Sequence, residues 1–303
     1  MRWDQLPRSD KVEDRREDGP GGFPMGRAGG LGIGTIVILG LIGWALGINP
    51  LYLIGGAEIL SRLGGGSQQQ SQPAPQSPTA EAPSDQMREF VSAVLGSTEV
   101  QWREIFAQGG KAYQGPSLVM FEGGTRSGCG IAQSAMGPFY CPLDQKIYLD
   151  TSFFQEIERR FQGCKVGSKS CQFAQAYVIT HEVGHHVQNL LGILPQLQAM
   201  QRDMDQVEAN NLQVRVELQA DCFAGVWANH AEEKWRFIEP GDVEAAMQTA
   251  SAIGDDRLQR RTQGYVVPDA FTHGSSEQRV RWFTNGLRSG QVTSCDTYQA
   301  ARL

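Results

Sequence analysis

Positive charge is scarce in this chain. Its 303 residues include 27 Lys and Arg against 33 Asp and Glu, which gives a formal net charge of −6. The body of the chain also lacks a basic stretch with interleaved aromatic residues, the pattern that a nucleic-acid-binding surface requires. Histidine is scarcer still, with five residues in total. We therefore expect no nucleic-acid partner, and we expect histidine chemistry to be confined to a few positions.

Cysteine is absent before residue 129, and the C-x-x-C spacing of many zinc sites is absent throughout. A cysteine-based metal site is therefore not expected. The six cysteines are an even number, which predicts disulfide pairing in an oxidising compartment. An unpaired, buried Cys222 is the alternative. The pairs suggested by closeness in sequence, with the remaining two joined, are Cys129–Cys141, Cys164–Cys171 and Cys222–Cys295.

Charged residues are missing from Leu31 to Ile48, and the apolar run continues to Ile54. This length suffices to cross a hydrocarbon core of about 30 Å, so we predict a single transmembrane helix at 31–54. A buried soluble helix and a cleaved signal peptide are alternatives, but the run has no polar face and is long for a signal peptide. Within it, Gly43 and Gly47 form a G-x-x-x-G pattern that predicts weak self-association.

The segments around the anchor predict the domain boundaries and the orientation. Residues 1–30 are highly charged and end in a glycine-rich patch, which predicts a flexible cytoplasmic tail. Residues 64–86 are rich in Gly, Ser, Gln and Pro and are predicted to form a disordered linker. Residues 87–303 are long enough for one domain with its own core. Because basic residues precede the anchor, we expect a single-pass protein of the inner (cytoplasmic) membrane whose 87–303 domain is extracytoplasmic, in the periplasm.

The most informative motif is the H-E-x-x-H pattern from His181 to His185, which lies in an apolar stretch predicted to be a helix over residues 173–191. Residues four apart project from the same helix face, so the two histidines can bind one metal ion. Glu182 then lies beside the water that the metal activates, where it can act as general base. Gly184 lowers helix propensity, which predicts the close approach of a neighbouring element.

A catalytic zinc site of this type needs a third protein ligand. Glu217 and Asp221 lie four apart in a second predicted helix with apolar flanks. We predict Glu217 as the third zinc ligand and Asp221 as the acceptor that fixes the tautomer of a ligand histidine. A solvated acidic face is the alternative. For His186, next to the ligand pair, we predict a capping or core role, and for His230 a surface position at a helix end.

Local patterns predict further elements of the 87–303 domain. Two S/T-x-x-Q patterns predict helix starts through a capping box, one at Thr98–Gln101 and one at Ser275–Gln278. Short runs of β-forming residues at Leu118–Phe121 and Lys146–Asp150 predict strands. The domain is therefore expected to combine helices with short strands.

The combination of H-E-V-G-H-H with E-L-Q-A-D resembles the gluzincin class of metallopeptidases, in which H-E-x-x-H is completed by E-x-x-A-D. More specifically, the chain is similar almost end to end to a family of neutral zinc metallopeptidases, bacterial proteins with one membrane anchor. The resemblance implies a zincin-like α+β fold, mainly helical with a small β-sheet, and hydrolysis of peptide bonds in proteins. The matching blocks are Met1–Trp3, Val12–Arg16, Gly137–Pro142, Lys146–Asp150, Glu217–Trp227, Ala252–Asp256 and Phe271–Arg279.

The resemblance also implies roles for residues outside the two motifs. Zincins have an edge strand above the metal that pairs with the substrate backbone, and the region Cys129–Asp150 would supply it. Related gluzincins place a histidine, followed by an arginine, near the zinc. His273 and Arg279 match this arrangement, so His273 would donate to the oxyanion or act as a fourth ligand, with Arg279 holding a carboxylate nearby. A loop histidine bonded to backbone is the alternative role, and Tyr140 and Tyr148 are alternative donors.

Together these residues predict a membrane-tethered, zinc-dependent endopeptidase that acts on extracytoplasmic proteins or peptides. One Zn²⁺ per chain, held by His181, His185 and Glu217, would polarise the scissile carbonyl, while Glu182 moves the proton. A zinc-stabilised, catalytically idle scaffold that binds envelope proteins is the alternative. The presence of Glu182 disfavours it, because a scaffold needs no general base. Amide hydrolysis in cell-wall material would use the same metal chemistry.

Overall fold

The structure is a computed structural model of the 303-residue chain, and it describes residues 1–18, 85–133, 137–159, 164 and 170–303. The compact unit that holds the candidate site combines the amino-terminal residues with Gln86–Leu303. Its α-helices in these ranges are α1 (Gln86–Gln108), α2 (Ser152–Arg159), α3 (Ser170–Leu190), α4 (Ile193–Gln201), α5 (Gln206–Trp235), α6 (Asp242–Ala252), α7 (Asp255–Gln263) and α8 (Ser276–Ser289). Its strands are β1 (Val12–Asp14), β2 (Ser117–Phe121), β3 (Gly124–Ser127), β4 (Gly130–Gln133), β5 (Phe139–Cys141) and β6 (Lys146–Asp150).

Four of the strands form one sheet in the order β1-β2-β6-β5. Strands β1, β2 and β6 run parallel, and β5 runs antiparallel to β6 at one edge. Strands β3 and β4 form a separate antiparallel hairpin. The strands predicted at Leu118–Phe121 and Lys146–Asp150 are confirmed, and they are neighbours in the sheet. In the described residues, the mainly helical α+β architecture with a small sheet is also confirmed.

The helices bury their apolar faces against one another and against one face of the sheet. Trp102 of α1 meets Phe223 of α5 edge to face, with 5.4 Å between ring centroids. Phe173 of α3 stacks on Trp227 of α5 at 6.3 Å. Large aromatic side chains dominate the apolar area that a core removes from water. The two helices that carry the predicted site motifs, α3 and α5, are therefore held in the centre of the fold.

Residues 1–18, which we call the amino-terminal arm, are part of this domain. Strand β1 pairs with β2, and the side chains of Met1, Leu6 and Val12 are buried in the main core. The flexible tail predicted over residues 1–30 is therefore wrong for residues 1–18. Composition misleads here, because a few buried apolar side chains and a strand pairing hold a segment whose other residues are mostly polar.

Close packing against α1 also holds the amino-terminal arm. The backbone N–H of Ser9 donates to the carbonyl of Ser92 at 3.0 Å. Gly96, in the middle of α1, has no room for a side chain, since a Cβ there would lie 2.5 Å from the carbonyl oxygen of Pro7. The glycine is therefore required at this position by the approach of the arm, in spite of its low helix propensity.

The predicted anchor at 31–54, with Gly43 and Gly47, falls outside the described residues. So does most of the predicted linker at 64–86, whose last residue, Gln86, begins α1. Of the helices in the described ranges, none combines the length and the apolar content needed to cross a membrane.

The two predicted capping boxes have different outcomes. Ser275 caps α8: its side chain accepts the N–H of Gln278, whose own side chain accepts the N–H of Ser275. Thr98, in contrast, lies in the interior of α1, where its hydroxyl donates to the carbonyl of Leu95 at 2.7 Å. The helix start predicted at Thr98 is therefore wrong, because a buried threonine can satisfy its hydroxyl within a helix.

The three predicted disulfides are confirmed. Cys222 of α5 is joined to Cys295 in the segment after α8, which excludes the alternative of an unpaired, buried Cys222. The other two bonds are Cys129–Cys141 and Cys164–Cys171. All six cysteines are therefore paired, and the bond between Cys129 and Cys141 ties β5 to the β3–β4 hairpin.

We predict that Gly96→Ala lowers the free energy of unfolding of the full chain by about 1–3 kcal/mol, the usual range for overpacking. In an uncrowded helix the same change would stabilise by about 1 kcal/mol. Gly109→Ala is the matched control, because its Cβ would lie 3.5 Å from the nearest neighbouring atom. Urea denaturation followed by circular dichroism measures both variants. A Gly96→Ala variant as stable as the wild type would show that the arm does not pack on α1.

Candidate metal centre

The candidate site lies where α3 crosses α5. Gly184 of α3 faces Ala220 of α5, and a Cβ at Gly184 would come within 3.0 Å of the Ala220 Cα and carbonyl oxygen. The close approach predicted at Gly184 is therefore confirmed, since a side chain there would have a tighter contact than nearly all Cβ atoms have, and glycine avoids it. This contact brings the histidine pair of α3 against the acidic pair of α5.

His181, His185 and Glu217 form a cluster whose candidate ligand atoms all lie within 4.8 Å of one another. The Nε2 atoms of the two imidazoles face the same carboxylate oxygen, Oε2 of Glu217, at 3.1 Å from His181 and 3.4 Å from His185. Two imidazole nitrogens and one carboxylate oxygen are the ligand set of a catalytic zinc ion that keeps one position open. The donor set therefore fits zinc.

Hydrogen bonds behind the imidazoles determine which nitrogen faces the cluster. Nδ1 of His181 lies 2.8 Å from Oδ1 of Asp221, and Nδ1 of His185 lies 2.9 Å from Oε1 of Gln188. Gln188 presents its oxygen to the ring because its amide nitrogen donates to the carbonyl of Val216. Each imidazole therefore donates through Nδ1–H and keeps the lone pair of Nε2 for a metal ion.

Asp221 is fully buried and is held by two further side chains. Arg279 of α8 donates Nε to Oδ2 and Nη2 to Oδ1, both at 2.9 Å, and the Tyr177 hydroxyl donates to Oδ1 at 2.5 Å. Burial alone would raise the pKa of Asp221, but the Arg279 guanidinium and His181 outweigh it and lower the pKa from 3.8 to about 2. Asp221 is therefore ionised at neutral pH, the state in which it accepts from His181.

Two buried glutamates at the site differ in proton affinity. Burial raises the pKa of Glu182 above its ordinary value, although the neighbouring imidazoles oppose the shift. Burial has the same tendency at Glu217, but there the electrostatic attraction of His185 and the hydrogen bonds from His181 and His185 outweigh it and lower the pKa well below its ordinary value. Glu217 is thus an anion that attracts a cation, whereas Glu182 binds a proton more readily, as a group that shuttles protons must.

His273 lies on the loop before α8, and this loop rests against α5. Gly274 has a φ of +92°, and a Cβ there would lie 3.2 Å from Leu218 and 3.3 Å from Val214 of α5, so the loop packs closely on this helix. Glu217 is the neighbour of Leu218 in sequence, and a charged His273 contributes to the lowered pKa of Glu217. The His273 side chain is 52% exposed. The structure therefore brings an accessible imidazole to the same region as the metal cluster.

The other predicted donors have structural partners. His186 is fully buried: its Nε2 donates to the carbonyl of Gln114 at 2.7 Å, and its Nδ1 accepts from the Tyr140 hydroxyl at 3.0 Å. Burial lowers the pKa of His186 to about 4, so the predicted core role is confirmed. The Tyr148 hydroxyl donates to Asp144 at 2.6 Å. Both tyrosine hydroxyls are therefore engaged within the protein.

The predicted position of His230 at a helix end agrees with its place in the last turns of α5, where Nε2 donates to the carbonyl of Gly290.

Three residues at the site are not found by the sequence analysis: Gln188, Tyr177 and Asp255. Gln188 stands three positions after His185, and Tyr177 stands four before His181, so helical spacing is a usable signal for both. Asp255 contacts the His273 loop across a turn of the chain, and no spacing rule links the two.

The geometry is that of a candidate metal site of the H-E-x-x-H type, with a glutamate from a second helix as the third possible ligand. A family model described as "Putative neutral zinc metallopeptidase" matches residues 1–298. The chain belongs to this family. The match includes the amino-terminal arm as well as the metal cluster, so both are features of the family's chain and not of an appended segment.

Two relatives illustrate the similarity. The chain is 45% identical over 303 residues to "Uncharacterized protein YpfJ" of Escherichia coli K12, and the alignment covers 98% of this chain and 99% of that protein. It is 41% identical over 222 residues to "Uncharacterized protein Rv2575" of Mycobacterium tuberculosis, with 70% of this chain and 71% of that protein covered. No solved structure matches the chain significantly.

We predict that Arg279→Leu lowers the free energy of unfolding by about 3–5 kcal/mol, because it leaves the Asp221 carboxylate buried without its main partner. Arg281→Leu, two residues along α8, is the matched control, since Arg281 pairs with the exposed Glu277 and an exposed pair contributes about 0–1 kcal/mol. Urea denaturation at neutral pH measures both. Equal losses in the two variants would contradict a dominant role for the Arg279–Asp221 pair.

The same pair predicts a pH dependence. The pKa of Asp221 is lower in the fold than its ordinary value of 3.8, so its contribution to stability is full above about pH 4 and is lost as the pH falls toward about 2. Arg279→Leu should therefore lose less stability than the wild type over this interval. Denaturation curves collected between neutral and acidic pH test the difference.

Proposed function

We propose that this chain is a zinc-dependent endopeptidase that hydrolyses peptide bonds of proteins or peptides outside the cytoplasm. The observation that carries the proposal is the convergence of the His181 and His185 Nε2 atoms on Glu217, with the buried Glu182 adjacent in sequence to the first ligand. Membership of a zinc metallopeptidase family supports both the metal and the class of reaction.

The residues of the site divide the work of hydrolysis. Zinc held by the three ligands would polarise the scissile carbonyl and lower the pKa of a water molecule. Glu182 takes a proton from the attacking water and gives it to the nitrogen of the leaving amine. His273 donates a hydrogen bond to the carbonyl oxygen as negative charge develops there. Asp221 and Gln188 keep the ligand imidazoles in the tautomer that the metal needs.

Strand β5 is the element that we propose to bind the substrate backbone. It is the outer strand of the four-stranded sheet, and Tyr140 within it contacts His186 and Asn189 of α3. An outer strand has free N–H and C=O groups with which an extended peptide can pair. The region Cys129–Asp150, expected to supply such a strand, contains β5. Main-chain pairing accepts many sequences, which favours proteins or peptides as substrates.

The disulfides support the proposed compartment. Three of them form in one domain, and disulfides persist in oxidising compartments such as the periplasm rather than in the cytosol. Attachment to the membrane through residues 31–54 rests on the sequence alone and stays a prediction.

The first test compares Glu182→Gln with the wild type, using the purified full chain. Glu182→Gln should keep one zinc per chain, because the ligands are untouched, and should lower kcat about 10²–10⁴-fold, the usual contribution of general acid–base catalysis. Glu244→Gln, a change of an exposed glutamate on α6, is the matched control and should retain both properties. Zinc is measured by elemental analysis, and turnover is measured with an unfolded general protein substrate.

Variants of the ligands separate the metal from the base. His185→Ala and Glu217→Ala should lose zinc affinity and hydrolysis together. A Glu217→Ala variant with full zinc affinity would show that Glu217 is not a ligand. One zinc per chain without cleavage by the wild type would favour the catalytically idle scaffold, and a wild type that binds no zinc would refute the proposal.

A further inference from the structure

Asp255, the first residue of α7, binds the loop that carries His273. A single carboxylate oxygen, Oδ2, accepts the backbone N–H groups of Thr272, His273 and Gly274 at 2.7, 2.6 and 3.0 Å. The other oxygen, Oδ1, lies 3.4 Å from Nδ1 of the His273 imidazole, and the Thr272 hydroxyl lies 3.0 Å from the same nitrogen. Asp255 therefore contacts both the backbone of this loop and one nitrogen of the ring.

The residues next to Asp255 hold the same loop at its other end. Asp256 accepts the N–H and the hydroxyl of Ser276, both at 2.7 Å. Gly254 has no room for a side chain, since a Cβ there would lie 2.5 Å from the backbone nitrogen of Ser276. The loop is thus fixed from residue 272 to residue 276, because it is bound by two successive carboxylates and by a close backbone contact.

We propose that Asp255 is a positioning residue for hydrolysis: it binds the Nδ1 side of His273 and leaves Nε2 available to the substrate carbonyl. The proposal rests on the proposed function, in which His273 donates to that oxygen. Burial lowers the pKa of His273, but Asp255 and Glu217 outweigh it and raise the pKa. A protonated ring can donate through both nitrogens at once, to Asp255 and to the substrate.

A double-mutant cycle tests the proposal. Asp255→Asn keeps an oxygen that can accept from the loop amides but removes the charge that faces His273. It should lower kcat about tenfold, with KM and zinc content unchanged, and His273→Ala should lower kcat about 100-fold. The double variant should be no slower than His273→Ala, because residues that act through one another are not additive. Glu244→Gln, at an exposed position of α6, is the control and should keep kcat within about twofold of the wild type.

Two outcomes separate this proposal from the proposed function. If Asp255→Asn lowers kcat equally with and without His273, the positioning role is overturned while the peptidase assignment stands. A wild-type protein without hydrolysis overturns the peptidase assignment itself.

NMR titration of His273 adds a readout that needs no turnover. Its pKa should fall in Asp255→Asn but not in Glu244→Gln, and an unchanged pKa in Asp255→Asn would overturn the contact on which the proposal depends.

A second, independent inference comes from the amino-terminal arm. Next to the β1–β2 pairing, the N–H of Leu118 donates to the carbonyl of Lys11 at 2.9 Å. Near the start of the arm, the N–H of Arg2 donates to the carbonyl of Phe237 at 2.8 Å. The arm is therefore bound to the domain along its length, by the sheet at one end and by the segment after α5 at the other.

These bonds restrict where the arm can lie relative to a membrane. Hydrogen-bonded strands are about 5 Å apart, whereas the hydrocarbon core of a bilayer is about 30 Å thick. The cytoplasmic tail and single crossing that the sequence predicts would place β1 and β2 on opposite sides of the membrane, which is incompatible with their pairing. We propose that residues 1–18 lie in the same compartment as residues 86–303, the oxidising compartment in which the three disulfides form.

Thiol labelling of the full chain in spheroplasts tests this arrangement. Asp10→Cys and Glu244→Cys place one free thiol at an exposed position of the arm or of α6, because all six natural cysteines are paired. A membrane-impermeant maleimide should label both positions to a similar extent before lysis. Labelling of Glu244→Cys alone would overturn the shared compartment. Labelling of neither before lysis would also overturn the proposal, because it would place both segments in the cytoplasm.

Discussion

The contact between Gly184 and Ala220 is the constraint on which the metal centre depends. It sets the distance between α3 and α5, and each of these helices supplies part of the ligand set. The Nε2 atoms of α3 lie 3.1 and 3.4 Å from one oxygen of Glu217, and functional constellations tolerate displacements of only about 0.5 Å. A Cβ at position 184 would lie 3.0 Å from the Ala220 backbone, so even the smallest side chain would require the helices to move apart by a few tenths of an ångström. The aromatic core between α1, α3 and α5 resists such a separation.

Two carboxylates face the histidines, and different cations balance them. Arg279 is bound to Asp221 through two nitrogens at 2.9 Å, so the charge of Asp221 is balanced within the protein. His181 can therefore be neutral while it donates to Asp221, and its Nε2 remains free for a metal ion. In the part of the chain that the structure describes, no arginine forms an ion pair with Glu217, which faces the two imidazoles. A bound zinc ion would therefore supply the positive charge that balances it.

How much of the structure the sequence predicts depends on how far apart along the chain the interacting residues lie. The histidine pair of the candidate metal site, Gly184 and the strand at Lys146–Asp150 follow from spacing within one helix or strand, and the local disulfides follow from closeness in sequence. The place of the amino-terminal arm does not, because β1 pairs with residues about a hundred positions away and its composition is that of a polar segment. The contact of Asp255 with the His273 loop is missed for the same reason. It depends on how two turns meet, and a single sequence carries no pattern for that.

The arm also affects which edge of the sheet can serve a substrate. In the described residues the sheet has β1 at one edge and β5 at the other. Strand β1 covers β2. It is an edge strand of only three residues, two of which are the acidic residues Glu13 and Asp14. Short, charged edge strands resist the addition of another strand. Strand β5 contacts the metal-binding helix through Tyr140. The arm therefore blocks pairing on the side remote from the histidines, and an extended peptide that pairs with this sheet does so on the side of α3.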